Sequence, residues 1–102
     1  MMEFNKLVRD RIPEIIEKEG GKPVTRTLEL EEYSRYLEKK LDEEVAEYHE
    51  SKELEELADV LEVVYALAKL RGHSVKELEA AYQKKHEVRG GFEDRVFLIR
   101  RD

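Results

Sequence analysis

An apolar residue recurs every three or four positions along residues 28–50, a spacing typical of one face of an amphipathic helix. Residues 57–70 are apolar nearly all round, as expected for a helix that is packed on several sides. The chain contains only five Gly and two Pro, and 43% of its residues are charged. This composition favours long helices over a β-sandwich or a disordered tail. We therefore expect an all-α fold.

Short breaks in the pattern divide the chain into about four helices within one domain, residues 1–102. Thr27 is a plausible N-cap for the second helix, and Ser74 and Glu77 have the spacing of a capping box at the start of the fourth. The third helix should be the central one, because it has the widest apolar surface. The expected helices cover about residues 12–19, 28–50, 51–72 and 74–90.

Residues 95–100, Arg-Val-Phe-Leu-Ile-Arg, follow the last expected helix and lack its periodicity. They fit either a short strand, with the extended residues 4–8 as a possible neighbour, or an arm lying over the bundle. The sequence leaves both alternatives open. We expect a helical bundle with a short extended C-terminal arm.

Charge and composition also exclude several classes of protein. A net charge of −6 argues against binding to a nucleic acid polymer, which requires clustered Lys and Arg. The absence of cysteine rules out disulfides, thiolate zinc sites and cysteine nucleophiles. No apolar run approaches the roughly 20 residues that span a bilayer. We expect a cytoplasmic protein without a membrane partner.

Two acidic pairs on consecutive helices are the strongest chemical signal. Glu44 and Glu47, like Glu56 and Asp59, are three residues apart and share a helix face. With a turn near residues 51–52, helices two and three should form an antiparallel hairpin in which the two pairs lie level. Four partly buried carboxylates need protons, basic partners or a metal ion.

The alternative is that these residues are solvated charges, since a chain with 25 acidic residues contains many such pairs. A di-iron site is disfavoured, because no Glu precedes a histidine by three positions. For a set of oxygen ligands, magnesium is the best choice and manganese a possible substitute. The sequence thus predicts metal ligands at Glu44, Glu47, Glu56 and Asp59.

The acidic residues form the motifs Glu43-Glu44-x-x-Glu47 and Glu56-x-x-Asp59, which closely resemble those of the MazG-like nucleotide pyrophosphohydrolases. The resemblance to the phosphoribosyl-ATP pyrophosphohydrolase-like subgroup extends over nearly the whole chain. It includes Asn-Lys-Leu-Val-Arg-Asp-Arg-Ile-Pro at residues 5–13 and Arg-Gly-Gly-Phe at residues 89–92. One departure is the spacing of eight residues between the two motifs, which is shorter than in many members and requires a tight turn.

The resemblance implies a homodimer or homotetramer that releases pyrophosphate by cleaving the α–β phosphate linkage of a nucleoside triphosphate or a phosphoribosyl-ATP-like substrate. It implies magnesium held by the four carboxylates above. The expected catalytic residues are Glu43, Glu44 and Glu47. Glu43 either contacts the metal ligands without binding the metal itself or faces solvent. The rival function is a non-catalytic helical adaptor, or a nucleotide-binding regulatory protein on the same fold.

A triphosphate also needs cations from the protein. Lys6 and Arg9 precede the first helix, and Lys85 and Arg89 share a face near the end of the fourth. We predict that these four residues bind substrate. For Lys85 and Arg89, the alternative is that they complement the dipole of the helix C-terminus without any ligand.

Overall fold

Four helices follow one another in the computed structural model, which describes residues 3–102. No strand occurs within that range, so the expectation of an all-α fold is confirmed. None of the described helices is long and apolar enough to cross a membrane. The helices are α1 (Ile12–Lys18), α2 (Leu30–Ser51), α3 (Leu54–Leu70) and α4 (Val75–Arg89).

A two-residue connection folds α2 and α3 into the expected hairpin. Lys52 ends α2 in the left-handed conformation, with φ of 60°, and its backbone N–H donates to the Tyr48 carbonyl at 2.7 Å. This conformation costs a residue with a side chain about 1–2 kcal/mol. The Lys52 ammonium lies 5.4 Å from the centre of the Tyr48 ring, an attraction that offsets part of this cost.

The third helix is central, as predicted from its apolar surface. It packs along α2 on one side, where Leu37 and Val63 form the buried core, and against the first half of α4 on another. The start of α4 also follows the prediction. The Ser74 Oγ accepts from the Glu77 N–H at 3.0 Å, and the Glu77 carboxylate accepts from the Ser74 N–H at 2.9 Å. This capping box satisfies two N–H groups at the helix start.

Two predicted helix boundaries are wrong. The N-cap of α2 is Glu29 instead of Thr27, because both outer nitrogens of the Arg26 guanidinium bind the Glu32 carboxylate at 3.0 and 3.1 Å and tie the preceding segment to the first turn. Ser51 does not begin α3. It is the last residue of α2, and its Oγ accepts from the Glu53 N–H at 3.2 Å, two residues further on.

The fold is much more open than a compact monomer of this length. Its radius of gyration is 17.9 Å, against about 13 Å for a compact 100-residue domain. Its accessible surface is 9710 Å², against about 6,000 Å² for a compact monomer of 12.1 kDa. All residues from 79 to 102 are exposed. The chain thus exposes about 3,700 Å² more than a compact fold of its mass would.

The last residues form an arm without a strand, but the arm does not lie over the bundle, so neither sequence-based alternative is met in full. The arm begins with a turn, in which the Arg95 N–H donates to the Phe92 carbonyl at 3.1 Å. Each apolar side chain of this arm is at least 77% exposed. We call these side chains the C-terminal apolar segment: Phe92, Val96, Phe97, Leu98 and Ile99.

Candidate metal centre

The α2–α3 hairpin brings three carboxylates into one cluster. Glu44 comes from α2, and Glu56 and Asp59 come from successive turns of α3. One carboxylate oxygen from each residue lies within 4.8 Å of the other two. The turn at Lys52 produces this arrangement because it places Glu44 level with Asp59 in antiparallel helices. We call these three residues the carboxylate triad.

Glu44 is the buried member of the triad. Only 7% of this residue is exposed, and one carboxylate oxygen lies 3.4 Å from the Lys40 ammonium. The other oxygen, Oε2, is buried and has no hydrogen-bond partner within residues 3–102. Burial raises the pKa of Glu44, the negative charge of Glu47 raises it further, and Lys40 opposes both effects. A buried, unpartnered carboxylate oxygen is costly unless a cation or proton reaches it.

Glu56 experiences the same shortage of positive charge. Loss of solvation raises its pKa, as do the charges of Glu47 and Asp59 and, to a smaller extent, the acidic residues at the start of α3. Glu44 and Glu56 therefore resist ionisation for the same two reasons. A divalent cation between them would remove both, because it replaces lost hydration and neutralises the mutual repulsion.

The other two predicted catalytic residues lie beside the triad. Glu47 is exposed and is not among the three converging carboxylates, although its charge acts on both Glu44 and Glu56. Glu43 is partly buried, with a carboxylate oxygen 3.6 Å from the Lys40 ammonium. Lys40 thus contacts two neighbouring glutamates, and its position relative to Glu44 is held from both sides.

Arg9 reaches the triad from the segment that precedes α1. Its guanidinium donates to Asp59 at 3.2 Å through one nitrogen and to Glu62 at 3.1 Å through the other. All three side chains remain partly exposed, so water screens these ion pairs. The contact nevertheless joins residues 50 positions apart in the sequence and places a cation on a member of the triad.

The other predicted substrate-binding residues do not contact the triad. Lys6 lies 5.7 Å from the centre of the Phe4 ring. Lys85 and Arg89 are exposed on the second half of α4, where the helix leaves α3. Within the described residues, no hydrogen bond or ion pair joins any of these three side chains to the carboxylates. The structure therefore brings only Arg9 of the predicted basic residues to the site.

Sequence reasoning overlooked two residues that contact the predicted ligands. Lys40 precedes Glu44 by four positions, a spacing that places both on one helix face. Glu62 follows Asp59 by three positions and continues the acidic side of α3. Both signals are present in the sequence, but the same spacings are common in a chain with this many charges and do not distinguish these residues from others.

The triad has the donors and nearly the spacing that magnesium requires. In octahedral coordination with bonds of 2.0–2.1 Å, neighbouring ligand oxygens are about 3 Å apart and opposite ones about 4.2 Å apart. The 4.8 Å limit within the triad exceeds the larger value by about 0.6 Å. Small rotations of the partly exposed Glu56 and Asp59 side chains would close this difference. Glu44 Oε2 supplies an oxygen to which no group in the described part of the chain donates a hydrogen bond.

Comparison with known proteins gives one informative match. Forty-two residues of the chain are 62% identical to a segment of an uncharacterized protein from Mycolicibacterium smegmatis, a match that covers 41% of this chain and 43% of that protein. The matched region is therefore less than half of that relative. No protein-family profile matches the chain, and no solved structure matches it.

Proposed function

We propose that this protein is a magnesium-dependent nucleotide pyrophosphohydrolase. It would cleave the linkage between the α and β phosphates of a nucleoside triphosphate, or of a phosphoribosyl-ATP-like substrate, and release pyrophosphate. The observation that carries this proposal is the carboxylate triad, in which the buried Glu44 Oε2 has no hydrogen-bond partner among residues 3–102. The sequence resemblance to MazG-like enzymes supplies the reaction class.

The chemistry of the donor set supports a metal used for phosphate chemistry. Magnesium favours carboxylate oxygens, retains several waters and is completed by substrate phosphates. When bound, it lowers the pKa of a coordinated water and neutralises charge on the phosphates. A site with three converging carboxylates leaves room for both kinds of additional ligand. Manganese has the same ligand preference and should substitute.

The residues of the chain divide this work by position. Glu44, Glu56 and Asp59 would hold the cation. Glu47, which is exposed and whose charge acts on Glu44 and Glu56, would either complete the ligand set or accept a proton from the attacking water. Lys40 orients Glu44 through their ion pair, and Glu43 holds the same Lys40 ammonium from its other side.

Pyrophosphate release from a panel of ribo- and deoxyribonucleoside triphosphates and phosphoribosyl-ATP tests the proposal, with magnesium and with a chelator. We expect release that requires the metal. Asp59→Asn and Glu47→Gln should each lower turnover at least about a hundredfold, the scale of lost charge stabilisation or water activation. Asp42→Asn is the matched control, since Asp42 is exposed on α2 outside the triad. It should leave turnover unchanged.

Either of two results would contradict the assignment. Equal turnover in Asp59→Asn and Asp42→Asn would remove the triad from the mechanism. No release from any substrate, together with a melting temperature that magnesium does not change, would favour the non-catalytic adaptor, because a ligand that binds only the folded state must stabilise it.

We also infer that the working form is a homo-oligomer, a dimer or a tetramer, that covers the C-terminal apolar segment. The excess surface of about 3,700 Å² per chain is several times the roughly 800 Å² that each partner contributes to a standard interface. Obligate homodimers bury about 2,000–5,000 Å² or more over both partners and have apolar interfaces, and two of these chains carry about 7,400 Å² of excess surface between them. We assign a second copy of the chain as the partner, because it has the same excess of exposed surface to bury.

A further inference from the structure

We propose that Arg9 is an exchangeable counter-ion of the carboxylate triad, which leaves Asp59 and Glu62 when the cation arrives and then binds the phosphates of the substrate. This inference rests on the proposed function, because it requires a cation and a phosphate chain at the triad. It adds a coupling between metal binding and residues 3–11 that the ligand set alone does not provide.

The geometry of the ion pairs shows why Arg9 and a metal compete. The Arg9 guanidinium donates to Asp59 Oδ1, and Asp59 is one of three residues that must turn its oxygens toward a shared cation. An oxygen that accepts from a guanidinium at 3.2 Å has less charge available for a metal bond, and the guanidinium repels a divalent ion. A cation that loads the triad would therefore compete with Arg9 for the negative charge of Asp59.

Glu62 makes the attachment of Arg9 depend on a guanidinium group, because Arg9 binds two carboxylates at once. It lies one helical turn beyond Asp59 and is not a member of the triad, yet it accepts from the second guanidinium nitrogen at 3.1 Å. A planar guanidinium can bind two carboxylates at once in a fixed fork, whereas an ammonium acts as a single point charge. Substitution of Arg9 by Lys thus preserves the charge and removes the fork.

The exposure of these side chains makes exchange feasible. The Arg9 side chain is 59% exposed, and those of Asp59 and Glu62 are 37% and 49% exposed. Ion pairs this exposed are weak, so a divalent cation with three carboxylate ligands can displace them. Once released, the Arg9 guanidinium is free to meet a phosphate chain held at the triad. A guanidinium in that position matches the oxygen geometry of a phosphate.

The test measures Mn²⁺ affinity without nucleotide by electron paramagnetic resonance, in the full chain and in four variants. Removal of the counter-ion in Arg9→Gln should tighten Mn²⁺ binding roughly three- to tenfold, as expected from one or two exposed ion pairs. Arg9→Lys should tighten it as well, although the charge is unchanged. Arg11→Gln and Arg11→Lys are the matched controls two residues away, and neither should tighten binding by a comparable factor.

The second measurement is steady-state kinetics with the best nucleotide substrate. Arg9→Gln should raise KM by at least about tenfold with little change in kcat, because its phosphate contact is made equally in the ground and transition states. The Arg11→Gln variant should retain the KM of the unmodified protein.

The outcomes separate this inference from the proposed function. Mn²⁺ binding that is equal in the unmodified protein, Arg9→Gln and Arg9→Lys would overturn the counter-ion role while leaving the metal site intact. An unchanged KM in Arg9→Gln would overturn the transfer to phosphate. If Arg9→Gln and Arg11→Gln tighten Mn²⁺ binding equally and Arg9→Lys does not, the effect comes from net charge alone. That result would overturn the specific role of Arg9. Failure of every variant to bind Mn²⁺ would overturn the metal site itself, and the inference with it.

Discussion

Self-association can be tested by one substitution in the C-terminal apolar segment. The Phe97 side chain is 87% exposed in the single chain, so almost its whole surface is available for burial against a partner. Burying a Phe side chain contributes about 1.5–3 kcal/mol. A symmetric dimer contains the residue twice, so Phe97→Glu should cost at least about 3 kcal/mol of association free energy. The dissociation constant should rise at least about a hundredfold.

Sedimentation velocity over a range of protein concentrations measures this change directly. We expect the unmodified protein to sediment as a multiple of 12.1 kDa and Phe97→Glu to dissociate toward the single-chain mass. Val24→Glu is the control, because Val24 is 98% exposed but lies outside the segment. A monodisperse single chain at about 100 μM, whether extended or compact, would refute the reasoning. So would a Phe97→Glu variant that associates as tightly as the control.

Two further substitutions test the cap of α4 and the charge of the triad. Ser74→Ala should destabilise the protein by about 1 kcal/mol and lower its melting temperature, whereas the exposed Lys76→Ala should not; equal melting temperatures would argue against the capping box. Because burial raises the pKa of Glu44, the metal-free fold takes up a proton before the unfolded chain does. The free energy of unfolding should therefore rise as the pH falls from neutral, through this raised pKa, toward the ordinary pKa of a glutamate. In Glu44→Gln, the free energy of unfolding should depend less on pH. Chemical denaturation at several pH values measures this difference. If the free energy of unfolding depends on pH in the same way in both proteins, burial does not raise the pKa of Glu44.

Helix identity was predictable because the apolar spacing is long and regular. Residues 28–50 contain several turns of the same pattern, and the capping box of Ser74 is a local feature whose partners are three residues apart. Such signals need no knowledge of the rest of the fold. The start of α2 was missed for the opposite reason. Its position depends on Arg26 binding Glu32, one of many acid–base pairs that the sequence allows.

The triad could be predicted in part for a similar reason. Helical spacing and a short turn are enough to place Glu44 level with Asp59, and the structure brings both together with Glu56. The outward position of Glu47 could not be predicted, because a helix face approximately 60° wide includes residues whose side chains point on either side of the seam. Burial also differs between neighbouring residues on that face: Glu44 is buried, whereas Glu47 is exposed.

Lys85 and Arg89 connect the open shape of the fold to the proposed chemistry. Tyr65 donates to Glu79 at 3.4 Å, and an antiparallel α4 continued from this contact would place Lys85 level with Asp59. Instead, every residue of α4 from Glu79 onward is exposed, so the second half of the helix carries its basic residues away from the triad of its own chain. If these residues bind phosphate, an assembly must bring α4 to a triad. Dissociation by Phe97→Glu should then raise KM for the nucleotide as Lys85→Ala does, and an unchanged KM in the dissociated variant would separate assembly from substrate binding.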